Sequence, residues 1–169
     1  MFRVNRKKSL LTVFVLISIL LFTACSSKKV SEEGNSLDGE PEWKIAIETP
    51  DEKTVELTNL DMDEVGTVDI EATMRKKDGT EEENKWSGMP LKEILEFAKA
   101  SEYSTVEIEA EDGFSVVYDK EIVESDGTIL AVEVDGKKLD EKSGPVQAVV
   151  DGEGAKLWVR QVSKIKVSK

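Results

Sequence analysis

Hydrophobic positions divide the chain into three stretches. From Leu10 to Phe22 they run almost unbroken, interrupted by Thr12 and Ser18. From Ser26 to Glu42 they nearly vanish among Ser, Lys, Glu, Gly and Asn. From Trp43 onward they alternate with polar residues, the spacing of strands that bury one face. Trp43, Ile45 and Ile47 predict a first strand, and Pro50-Asp51 a turn after it. Val55 and Leu57 predict a second strand, followed by a short loop or helix around Leu60 to Val65. Val68, Ile70 and Ala72 predict a third, leading into a polar loop from Arg75 to Lys85.

The pattern then changes period. Leu91, Ile94, Leu95 and Ala98 fall at i, i+3, i+4 and i+7, one face of a helix. Pro90 suits its first turn, where a missing N–H costs nothing. This main helix is expected over about residues 90–100. Val106 to Ala110 and Phe114 to Tyr118 flank Asp112-Gly113, a hairpin signal. A short helical piece is expected over Lys120 to Glu124, then a strand over Ile129 to Val134 ending at the Asp135-Gly136 turn. Val146 to Val150, Leu157 to Val159 and Ile165 to Val167 read as further strands. Many short strands with one good helix predict an α+β fold with a mixed, barrel-like sheet.

The first two stretches read as export and tethering. Arg3, Arg6, Lys7 and Lys8 precede the apolar run with no acid among them, as in a secretory signal peptide. The run is short for a membrane span, which takes roughly 20 apolar residues. Leu21-Phe22-Thr23-Ala24-Cys25 resembles the lipobox of bacterial lipoproteins, with Phe22 where that motif prefers Leu. The resemblance implies cleavage after residue 24, lipidation of Cys25 and anchoring on the extracytoplasmic face of the cell membrane. Residues 1–24 are thus expected to be a leader, 25–42 a polar tether, and 43–169 one domain.

Composition narrows the chemistry. The net charge is −12, and all four basic residues of the leader leave with it. Such acidity argues against a nucleic-acid partner. No histidine is present, which removes the usual general base, the Ser-His-Asp arrangement and most zinc sites. Cys25 is the only cysteine, so the expected domain holds no thiolate and no internal disulfide. Asp61 and Asp63 lack the rest of a calcium loop. Met62, Met74 and Met89, which could suit Cu(I), fall in different elements and read as core filler.

The order of motifs resembles a known family. Trp86-Ser87-Gly88-Met89-Pro90-Leu91 with Ile94-Leu95, Asp112-Gly113-Phe114, Ile129-Leu130-Ala131 through Asp135-Gly136-Lys137-Lys138-Leu139, Gly144-Pro145-Val146, and Val159-Arg160 to Val167 are similar to successive segments of the oxidoreductase molybdopterin-binding domain, the sulfite oxidase-like fold. Read physically, Trp86 is a core aromatic and Gly88 a turn into the helix. The resemblance implies a molybdenum-binding cysteine near the end of the strand before Trp86. Ala72 stands at that position. It also implies a His and an Arg near the pterin phosphate, where Lys142 to Gln147 supplies neither.

The expected function is therefore a surface lipoprotein with a non-catalytic ligand-binding or interaction domain. The alternative is a small exported molybdopterin-dependent oxidoreductase. No cofactor is expected on the first reading, and molybdopterin on the second. Thr73, Arg75, Gln147, Lys156 and Arg160 are the candidate pocket, placed where the segment after Ala72 meets the Gly144 and Gly154 loops. An anionic small ligand, or an exported or membrane protein, is the expected partner besides the lipid-held membrane.

Overall fold

A computed structural model describes residues 39–169. The leader, Cys25 and the tether up to residue 38 lie outside the described residues. Two five-stranded sheets make up the domain. In the first, β1 (Lys44–Glu48) pairs antiparallel with β2 (Thr54–Thr58) and parallel with β10 (Val162–Ser168). On the far side of β10 follow β5 (Thr105–Ala110) and β6 (Ser115–Asp119). The second sheet runs β3 (Val68–Arg75), β4 (Glu81–Pro90), β7 (Thr128–Val134) and β8 (Lys137–Lys138), and β9 (Gln147–Val150) also pairs with β7. Three short helices, α1 (Met62–Val65), α2 (Leu91–Phe97) and α3 (Lys120–Glu124), complete the α+β architecture.

The second sheet has two apolar faces, which alternation along its strands separates. On β7, Leu130 joins the main core, with Ile45, Ile47, Val106, Ile108 and Ile165 of the first sheet and Leu91, Ile94 and Leu95 of α2. Fully burying each such side chain contributes about 1.5–3 kcal/mol. Ile129 and Ala131 point the other way, into a smaller cluster with Ala72, Trp86, Val149 and Trp158. The sheet curls around this cluster. Its β3 edge meets the loop after β9 at a single parallel bridge, Arg75 to Gly154, without closing a barrel.

Several expectations change. The polar stretch 75–85 is not one loop. Glu81 to Lys85 belongs to β4, and only the turn around Asp78-Gly79 separates it from β3. Both strands are exposed there and carry opposite charges, Lys76 with Glu82 at 2.6 Å and Lys85 with Asp69 at 3.0 Å. That leaves no hydrophobic alternation to read. The main helix is shorter than 90–100: Pro90 ends β4, and Ala98 caps α2 before Lys99 turns to φ +57°. Gly88 is not a turn but a strand residue. Leu157 lies in a 3-10 turn, Ala155–Leu157, rather than in a strand.

Candidate functional site

Ala72 sits on β3 with none of its surface exposed, packed in the smaller cluster. In the same cluster the Trp86 and Trp158 rings meet edge to face, 5.4 Å apart at 71°. Both indole N–H groups are buried and hydrogen-bond to nothing. The sequence marked Trp86 as a core aromatic but gave Trp158 no role, because its neighbours read as a strand. The signal available was the bulk of the residue itself, beside a chain segment rich in Gly.

The residues after Ala72 are tied to the Gly154 loop. Thr73 N–H donates to Asp151 Oδ1 at 2.8 Å, and Thr73 O accepts from Gly152 N–H at 2.9 Å. Arg75 N–H donates to Glu153 O at 3.0 Å. Gly152 adopts φ +71°, which lets the loop turn back toward β3. The Gly144 loop is tied elsewhere, its Ser143 O accepting from Gln161 N–H at 3.0 Å. Gln147 is buried on β9 opposite Ala131, on the same side as Val149, whereas Lys156 and Arg160 are exposed. Thr73 and Arg75 share a loop contact, Gln147 is interior, and the other two face solvent.

The loop bond gives a local test. Asp151→Ala should cost about 0.5–1.5 kcal/mol, the ordinary net contribution of a hydrogen bond. Asp151→Asn, whose side-chain oxygen still accepts, should cost less. Amide exchange at Thr73 measures both: faster exchange in the alanine variant is expected, and equal rates would remove Asp151 from the account.

Acids surround the cations. Arg75 Nε lies 3.9 Å from Glu81, with both side chains largely exposed, so the pair adds little to stability. The Lys76 ammonium holds the Glu82 carboxyl below its usual range, and Arg160 adds to that effect. Ser143 hydrogen bonding lowers Asp140 in the same way, with Arg160 again contributing. The cleft touching the Gly154 loop, of about 330 Å³, is lined by Asp119, Glu121, Asp151 and Glu153. Among the described residues no three His, Cys, Asp or Glu side chains are grouped to hold a metal ion.

This donor set does not fit the molybdenum cofactor that the resemblance implies. A methyl group at Ala72 cannot ligate a metal in place of a thiolate. At the Gly154 loop a polyanionic pterin would meet Asp151 and Glu153 with the Arg75 guanidinium as the neighbouring cation, and like charges a few ångströms apart in a protein-like dielectric repel by several kcal/mol.

Comparison with known proteins bears on the fold and the family. The family described as the oxidoreductase molybdopterin binding domain matches residues 32–169. No curated protein matches the sequence. A solved structure with the same fold is the sulfane dehydrogenase SoxCD from Paracoccus pantotrophus, at TM-score 0.65 and 20% identity over 75% of this chain and 38% of that one. At that identity the likeness concerns the fold, and this chain spans well under half the length of that protein.

Proposed function

The chain belongs to the oxidoreductase molybdopterin binding domain family, and from that premise we propose that it is a lipid-anchored surface protein using the scaffold to bind a ligand or an exported partner, without molybdenum redox chemistry. The observation that carries this reading is Ala72. At the position that the family resemblance assigns to the metal-binding cysteine, the chain presents a fully buried methyl group in one cluster with two tryptophans. The absence of histidine and of any further cysteine from this sequence supports it.

Metal analysis tests the reading. The full chain, purified from a host that makes the molybdenum cofactor, is expected to carry molybdenum and pterin far below one equivalent. A molar equivalent of both would overturn the proposal in favour of an exported molybdopterin-dependent oxidoreductase.

Anchoring has its own measurement. Cys25→Ala should release the chain from the membrane fraction into the soluble fraction. The wild-type N-terminal peptide should begin at Cys25 and carry acyl mass. Each buried acyl CH₂ contributes about 0.8 kcal/mol, so loss of the lipid should be decisive for partitioning. Equal membrane association of the two forms would remove Cys25 as the anchor.

A further inference from the structure

We propose that the cleft between the β7–β8 hairpin and the start of β1 binds a small organic cation: a protonated amine carried on an aromatic or branched apolar body. The cleft lies mainly on the other side of the second sheet from the Ala72 cluster, which it touches only through Leu139. Its wall includes Val132, which alternation on β7 places on the opposite face from Ala131. The volume of about 310 Å³ lies at the lower end of small-molecule sites.

The lining has two parts. Trp43, Met62, Val132 and Leu139 form an apolar wall. Trp43 is 8% exposed and belongs to the main core, so its ring is a fixed surface rather than a mobile flap. The wall is also held by the chain before β1, where Glu42 N–H donates to Asn59 Oδ1 at 2.7 Å. The charged rim consists of Glu42, Glu133 and Lys138. Lys138 Nζ is 2.8 Å from Glu42 Oε2. Glu133 stands directly across the hairpin from Lys138 and also favours its charged form. One ammonium thus serves two carboxylates, and the rim keeps one unmatched negative charge. An apolar body suits the wall, and a single positive charge completes the rim. The excess of acids over bases in the whole chain raises the local concentration of such cations.

The test uses three probes of similar shape: phenethylamine, neutral 2-phenylethanol and anionic 3-phenylpropionate. Each is titrated into the full chain while the Trp43 indole N–H, assigned with Trp43→Phe, is followed by NMR. The amine is expected to shift this signal and to bind about two- to fivefold more tightly than the alcohol, the range of an exposed ion pair, with the carboxylate weakest. Glu133→Gln should abolish the preference for amine over alcohol while leaving the alcohol unchanged. Lys138→Ala, which removes the competing cation, should strengthen amine binding. A silent Trp43 signal would overturn the proposal, as would equal affinity for the three probes, or a preference that survives Glu133→Gln.

Discussion

Replacing Gly88 by alanine is expected to lower the melting temperature by more than about 10 °C, the shift that a loss above about 3 kcal/mol produces in a domain of this size. The cause is backbone against backbone. A Cβ at this position would lie 2.2 Å from Leu130 O and 2.5 Å from Ala131 Cα. No rotamer change relieves such an overlap, because neither obstacle is a side chain. Gly88 is held on both flanks, paired with Val68 of β3 and Ala131 of β7. The only relief is to move β4 away from β7, which breaks the centre of the second sheet. Overpacking a core costs about 1–3 kcal/mol when side chains can shift, and the loss here should exceed that range. Gly79→Ala is the control. Gly79 adopts φ +82° with open space around it, so alanine there meets backbone strain but no clash. Its cost should stay near 1–2 kcal/mol. Circular dichroism melts of the two variants separate the effects. A Gly88→Ala protein that melts with the wild type would contradict the close β4–β7 approach.

Gly88 also shows where the sequence was silent. A glycine after a tryptophan and just before a helical pattern reads as a turn, since glycine is the residue of turns. Its actual role, making room for a neighbouring carbonyl, leaves no mark in the local pattern, because the neighbour is about forty positions away. Legible elements were those with one wet and one dry face, such as β1 with Ile45 and Ile47, β5 with Val106 and Ile108, and α2 with its Leu91, Ile94 and Leu95 stripe. The first half of β4 was illegible for the converse reason. Glu81, Glu82 and Glu83 are exposed, and cross-strand cations rather than burial accompany them.

The candidate site was legible in part. The family resemblance, carried on the sequence motifs, suggested the meeting of the segment after Ala72 with the Gly154 loop; the local pattern of hydrophobic and polar residues did not. The resemblance also grouped Gln147, Lys156 and Arg160 with them; Gln147 is buried on the Ala131 side of β9, Arg160 helps to hold the Glu82 carboxyl below its usual range, and Lys156 is exposed. Sequence order carries no information about which side of β9 a residue faces until the strand's register is known, and here both sides are dry: Ala148 and Val150 join the main core, while Val149 joins the smaller cluster.

Trp158→Ala and Trp86→Ala are each expected to cost about 3–5 kcal/mol, the usual range for deleting a buried aromatic ring. The two rings are the largest side chains in a cluster whose other buried members are Ala72, Ile129, Ala131 and Val149, with Ile70, Met74, Val134, Leu139 and Leu157 packed around it. Removing either leaves a cavity that a close-packed surround refills only in part, and it also dissolves the edge-to-face pair, itself about 0.5–1.5 kcal/mol. Phenylalanine at the same positions should behave differently. Each indole now buries an N–H without an acceptor, a penalty of about 1–3 kcal/mol. Trp→Phe removes that penalty while giving up part of the ring, so the two changes offset and the net cost should fall near 1 kcal/mol or below. The contrast between Ala and Phe, read from urea midpoints at constant m, separates packing from polarity. Equal losses for Ala and Phe would mean that the N–H groups do find acceptors in solution. The same series bears on function. Neither truncation supplies a thiolate, so Trp158→Ala should remain free of molybdenum even with its cavity open. On the proposed reading, the missing metal ligand is the side chain at position 72, and the tryptophans beside it play no part in that.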